Sequence, residues 1–338
     1  MKKHLKDVVR KYDTIDKSKY DYVLNQSERT IPIPGFQKFL QSINQEDFFF
    51  YPNTESLKEL ICEYHCLQYN QLFLCAGSDV GIKAVFETFT NGGRVITSDP
   101  SFPMYKVYSE LYQCEYFGIL HEKDYTISME KILSNITHDT DLIILANPNS
   151  PMGEHKSFDE IRILLEQGVP TLIDEAYIEF VDEPGLLEYI NEYPNLIITR
   201  TFSKAYGAAG CRVGMVFSNK DNIEMISKFR HMYEISNVSM KFCKHLINED
   251  DLMDTYVEEV VKEKEKLISM MKDFDVIDSN CNWIHFNNEI DNTDTIRIFD
   301  KHKVLAKFCS IPHDDRKNWC RLTIQPNITK QKFIKELL

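Results

Sequence analysis

One lysine in this sequence stands among residues that can put it to chemical use. The stretch Thr201-Phe202-Ser203-Lys204-Ala205-Tyr206-Gly207-Ala208-Ala209-Gly210-Cys211-Arg212-Val213-Gly214 sets Lys204 between two hydroxyl residues and an arginine eight positions on. An amine so placed can form a Schiff base with an aldehyde cofactor, and Thr201, Ser203 and Arg212 can hold that cofactor's phosphate. Gly207, Gly210 and Gly214 let other groups approach the backbone closely. A lysine at the end of a strand is also an ordinary surface feature, so its use depends on what the rest of the chain sets beside it.

A phosphate-bearing aldehyde makes further demands that can be checked. An acid must keep the ring nitrogen protonated, and Asp174, at the end of Thr171-Leu172-Ile173, suits that place. The phosphate needs donors, which the helix opening at Gly77-Ser78-Asp79 provides through its free N–H groups. The ring needs an aromatic face, offered by Phe102, and a donor to its phenolate oxygen. Tyr177 or an asparagine of Asn147-Pro148-Asn149 can be that donor. Each has a plainer use: Asp174 and Glu175 as helix caps, Phe102 as packing, and the asparagines as turn formers.

These residues share a position in the pattern of the chain. Short apolar runs, 72–76, 94–97, 141–146, 171–173, 196–199 and 213–217, each end in polar, Gly or Pro residues, with helical stretches between them. That alternation predicts an α/β fold with a mostly parallel sheet and right-handed crossovers, where ligands collect at the carboxyl ends of the strands. Residues 51–220 read as a large domain and residues 221–338 as a small α/β domain that the segment 1–50 joins. Thr54 is expected to cap a helix, and Phe48, Phe49 and Phe50 to pack in a core or an interface. The run Glu258 to Lys266 reads as the solvated face of a helix.

Composition excludes other classes. A formal net charge of -13 argues against a nucleic-acid partner, and no apolar segment approaches the ~20 residues that span a bilayer. Nine scattered cysteines without CxxC pairs read as reduced thiols of a cytoplasmic protein, and the amino terminus leads into no apolar secretory core. A dinucleotide site at Ala76-Gly77-Ser78-Asp79-Val80-Gly81 lacks the GxGxxG spacing.

Three blocks, Ala146 to Gly153, Asp174-Glu175-Ala176-Tyr177-Ile178-Glu179-Phe180 and Thr201 to Gly207, resemble the signatures of fold-type I pyridoxal-phosphate aminotransferases. The Asp174 to Phe180 wording is similar to that of the histidinol-phosphate aminotransferase branch. The resemblance runs from about Tyr51 to Arg321 and implies an aspartate aminotransferase-like fold with pyridoxal 5'-phosphate as cofactor. It makes Lys204 the Schiff-base lysine and general acid/base, Asp174 the pyridinium partner and Tyr177 the ring-oxygen donor. Ser78, Asp79 (through its backbone N–H), Thr201, Ser203 and Arg212 become the phosphate cup; Phe102 keeps its expected place against the ring, and Asn149 or Asn147 can take the contact to its oxygen. Tyr51 matches a tyrosine lent to the partner subunit's phosphate, which implies a homodimer. Arg321 matches the arginine that forks onto a substrate carboxylate. Lys307 stands where an arginine meets the substrate phosphate, and Ser150 where the family has asparagine before Pro-Thr-Gly.

The expected activity is amino transfer between an amino acid or phosphorylated amine and a 2-oxo acid. Decarboxylation of an O-phospho amino acid uses the same parts, and a binding protein that keeps the fold without turnover is the remaining alternative.

Overall fold

The computed structural model describes residues 3–6, 8–10, 15–249, 251–288, 292–316 and 319–338. After a short strand β1 (Tyr22–Val23) come seven that form one sheet: β2 (Leu72–Cys75), β3 (Arg94–Asp99), β4 (Glu115–Leu120), β5 (Thr140–Ala146), β6 (Thr171–Asp174), β7 (Leu196–Thr201) and β8 (Gly214–Ser218). Their order is β2-β8-β7-β6-β5-β3-β4, and only β8 runs antiparallel to its neighbours. Strands in such a sheet are covered on both faces, which is why they read as unbroken apolar runs. In β5, Ile143 and Leu145 pack into the core on one face of the sheet, while Leu142 and Ile144 enter the core on the other. Full burial of each such side chain stabilises the fold by roughly 1.5–3 kcal/mol.

A second sheet contains β9 (Asp275–Ile277), β10 (Trp283–Asn287), β12 (Lys307–Cys309) and β13 (Trp319–Thr323), in the order β12-β13-β10-β9 and antiparallel throughout. The two-residue strand β11 (Val304–Leu305) instead pairs in parallel with β1, tying the amino-terminal segment to this part of the chain. The helix Leu252–Met270 covers the sheet with Tyr256, Val260 and Leu267 against Trp283, Phe286 and Phe333.

The strand β4 lies at the sheet edge, only half-buried along most of its length, and adds a seventh strand to the six apolar runs. Three local expectations are corrected. Thr54 makes no side-chain cap; Asn53 accepts from the Glu55 N–H, and Thr54 Oγ1 accepts from Arg230. Phe48, Phe49 and Phe50 are exposed at 70%, 71% and 67%, which removes the core alternative for them. Lys264, inside the charged helix run, is buried, with its ammonium donating to the carbonyls of Ser279 and Cys281. No helix among the described residues is long and apolar enough to cross a membrane.

Candidate active site

The carboxyl ends of β2, β3, β5, β6 and β7 open into one cavity of 720 Å³, closed on the opposite side by β10, β12 and β13. Ser78, Asp79, Phe102, Asp174, Tyr177, Thr201, Ser203, Lys204, Arg212, Lys307 and Arg321 all line it, although they come from positions spread over most of the chain. The parallel topology is the cause: successive strands deliver their terminal side chains to the same edge.

Lys204 leaves the sheet three residues after β7 ends and donates from Nζ to the carbonyl of Gln26 at 2.9 Å. The amine also stands 5.1 Å from the centre of the Tyr177 ring. Tyr177 is buried and meets Trp283 edge-on, 4.7 Å between ring centres.

Asp174 ends β6 and is buried. Its Oδ1 accepts from Thr199 at 2.9 Å and its Oδ2 from Tyr105 at 2.8 Å. Burial raises its pKa above the usual carboxyl value, opposed by those two donors, by the Ala176 N–H and by the nearby Lys204 charge. A cation brought against this carboxylate therefore gains from a low-dielectric setting. Tyr105 was not singled out in the sequence, because a tyrosine in a helix carries no mark of the acid it will face. Its place three residues after Phe102, on the first turn of the helix Pro103–Leu111, was the only available signal.

At the other end of the cavity the helix Ser78–Phe89 begins, with Gly77 at φ 89°. A side chain at Gly77 would run into the guanidinium of Arg212, and one at Gly214 into the backbone of Gly77 and Ser78. Both glycines thus hold β8 and Arg212 against the helix terminus. Thr201 Oγ1 donates to Ser203 Oγ at 2.9 Å and accepts from the Ser203 N–H, so the two hydroxyls are arranged together. Asp79 accepts from Tyr108 at 2.8 Å, which turns its carboxylate away and leaves its N–H at the helix end. Three hydroxyls, a backbone N–H and a guanidinium at one end, an amine in the middle and a buried carboxylate beside it fit a phosphorylated pyridine aldehyde.

Two expected contributors lie outside the cavity. Asn149 is fully buried, donating to Ser98 Oγ at 3.0 Å and accepting from the Met152 N–H at 3.3 Å, and it is absent from the wall; Ser150 lines the wall instead. Asn147 is likewise engaged, with both side-chain bonds going to the Lys156 backbone. Hydrogen bonds within the turn and to β3 thus claim both asparagines. Tyr51 is 77% exposed and stacks on Tyr233 at 4.3 Å, away from this chain's own cavity.

On the far wall the guanidinium of Arg321 donates to the carbonyl of Asn25 at 3.2 Å and lies 5.2 Å from the Trp283 ring centre. Neither Arg321 nor Lys307 pairs with a carboxylate of the described residues, whereas the cavity's Glu28 is held by Lys17. Behind the site a buried ion pair, Arg200 to Glu175 at 2.7 Å, fixes the loop after β6: Arg200 also donates to Pro184 O and Glu175 accepts from the Leu186 N–H.

Glu179 sits near this pair with Oε2 shielded and unpartnered. Burial pushes its pKa up from 4.5 to about 7, partly offset by Arg200. Below pH 4.5 the carboxyl is neutral in both folded and unfolded chains; between 4.5 and 7 the unfolded chain ionises first, so stability falls as pH rises. Glu179→Gln is expected to flatten that fall and to leave the variant more stable at pH 8 by on the order of 3 kcal/mol. Denaturant unfolding at pH 4.5 and 8 measures it; equal pH slopes for the two proteins would contradict it.

Comparison with known proteins shows the family and the fold. The family described as aminotransferase class I and II matches residues 18–336. A histidinol-phosphate aminotransferase of Christiangramia forsetii is 30% identical over 292 residues, covering 84% of this chain and 83% of that protein. One from Lactococcus lactis subsp. cremoris is 29% identical over 93% of this chain and 91% of its own length. The structure of histidinol-phosphate aminotransferase from Sinorhizobium meliloti, solved in complex with pyridoxal-5'-phosphate, superposes with a TM-score of 0.84 at 18% identity, covering 100% of this chain and 98% of that one. The chain belongs to the class I and II aminotransferases, with the aspartate aminotransferase-like fold of the fold-type I pyridoxal-phosphate enzymes, in the branch similar to the histidinol-phosphate aminotransferases.

Proposed function

We propose that this pyridoxal-phosphate enzyme moves an amino group between an amine with an anionic end, a phosphorylated amine like histidinol phosphate or an amino acid, and a 2-oxo acid. The observation that carries the reading is the meeting, in one cavity, of Lys204 and Asp174 with two cations, Arg321 and Lys307, that no carboxylate of the described residues neutralises. When bound, pyridoxal 5'-phosphate supplies an aldehyde that joins covalently to amines and a ring that draws electrons away from the substrate's Cα.

The chain's residues divide that work. Ser78, Thr201, Ser203, the Asp79 N–H and Arg212 hold the phosphate, and the helix terminus adds its favourable dipole. Asp174, oriented by Tyr105 and Thr199, holds the proton on the ring nitrogen. Phe102 packs against the ring and Tyr177 donates to its oxygen. The amine of Lys204 would hold the aldehyde until the substrate amine takes its place, and would then move a proton between the substrate's Cα and the cofactor's aldehyde carbon. Arg321 forks onto the substrate's anionic group, and Lys307 adds a point charge.

The site is completed by a second copy of the chain. Phe48, Phe49, Phe50, Tyr51 and Met232 form an exposed apolar surface, and Asn237 holds the Phe50 carbonyl at 2.9 Å. In a homodimer that surface is covered and Tyr51 reaches the partner's phosphate cup. The nine unpaired cysteines suit the reducing cytoplasm.

Presenting the holoenzyme with amino acids and phosphorylated amines, with cofactor absorbance and carbon dioxide followed together, tests the reading. A phosphorylated amine is expected to convert the cofactor to its amine form, and a 2-oxo acid to restore it, with no carbon dioxide. Carbon dioxide release with retention of the aldehyde form would overturn it.

A further inference from the structure

Strand register sets three side chains of the far wall in one row. Lys307 pairs with Arg321, and Arg321 pairs with His285, so the three stand side by side on β12, β13 and β10. All three line the cavity. Neighbouring strands lie ~4.8 Å apart, so the row is about 10 Å long, enough for an extended anionic substrate end rather than one carboxylate.

His285 is the member that nothing above explains. Its ring is fully buried, yet neither Nδ1 nor Nε2 has a partner among the described residues. Arg321 Nε, beside it, is also shielded and unpartnered. A buried donor left without an acceptor is costly, and such groups in folded proteins normally meet a partner. Burial first, and then the charges of Arg321 and Lys307, hold the imidazole's pKa down to about 3, so it is neutral at working pH. A neutral imidazole keeps one N–H to donate and adds no third positive charge to the row.

We propose that His285 is a specificity-determining residue whose imidazole N–H donates to the phosphate-class oxyanion of the amino substrate, completing with Arg321 and Lys307 one recognition row. This rests on the reading above that the substrate carries an anionic end, and it assigns a new residue to that end.

The test uses holoenzyme and the variants His285→Leu, His285→Gln and Lys307→Ala. Calorimetric binding of inorganic phosphate is measured alongside KM and kcat for histidinol phosphate and for histidinol, which lacks the phosphate. His285→Leu is expected to weaken phosphate binding and raise the histidinol phosphate KM by about 10-fold, the worth of one hydrogen bond to a charged group. Its kcat and its KM for histidinol should stay within about twofold, and His285→Gln should recover most of the loss, because glutamine keeps a donor. Equal losses for both amines, or a glutamine variant as weak as leucine, would overturn the proposal as a packing effect. If Lys307→Ala weakens phosphate binding and His285→Leu does not, the His285 assignment fails while the anionic-substrate reading stands. If wild-type holoenzyme neither binds phosphate nor prefers histidinol phosphate, the His285 proposal fails, and the anionic-substrate reading falls with it only if amino acids also leave the cofactor's absorbance unchanged.

Discussion

Replacing Lys204 by alanine is expected to lower kcat by about 10⁴-fold without disturbing the fold. Lys204 is half-buried and makes one hydrogen bond through its side chain, to the Gln26 carbonyl. Losing that bond costs on the order of 1 kcal/mol, a small part of a domain's stability. The catalytic loss is much larger because the proposed reading puts two tasks on the same nitrogen, holding the aldehyde and carrying the Cα proton. Lys307, the cavity's other lysine, stands on the opposite wall beside Arg321 and cannot take over either task. Rapid-mixing of the variant with substrate amine measures the proton-transfer step alone. A variant within about tenfold of wild type would remove Lys204 from that step.

The second large effect is expected at Asp174. Asp174→Asn keeps the shape and the bond from Thr199 but removes the negative charge facing the ring nitrogen. Interactions aimed at developing charge in a closed site are worth about 10²–10³ in kcat when one is removed, and a similar loss is expected here. Stability should move the other way. Burial already disfavours the ionised Asp174, so the neutral asparagine should leave the unfolding midpoint of the cofactor-free protein unchanged or higher. Parallel kinetics and thermal unfolding of the cofactor-free forms check both arms. A variant that lost activity only in proportion to lost stability would make Asp174 a structural acid.

The contrast between these two residues and the others shows where sequence reasoning reached. Lys204, Asp174 and Ser78 were legible because each ends an apolar run, and a parallel sheet brings such ends together whatever the loops do. Arg212 was legible from its spacing to Lys204, and the glycines around it from the close approach they permit. Tyr105, Thr199 and Gln26 were not, since their contacts with Asp174 and Lys204 depend on how distant elements pack. His285 was hidden for a related reason: its meaning lies in its register with Arg321 and Lys307, which the local alternation of β10 does not carry. Ser150 takes the wall position that the motif match gives to the family's asparagine, while the hydrogen bonds of Asn149 to Ser98 and Met152 keep it off the wall. Lys264 was misread as solvated because a charge run looks the same from sequence whether or not one member finds buried carbonyls.

Borohydride reduction of the holoenzyme, followed by proteolysis and mass mapping, bears most directly on the chemistry assigned to Lys204. Reduction fixes the carbon–nitrogen bond between protein and cofactor in place. A pyridoxyl group on the peptide that contains Lys204, absent from the Lys204→Ala protein, is the predicted result. Label on Lys307, or no covalent label at all, would contradict it.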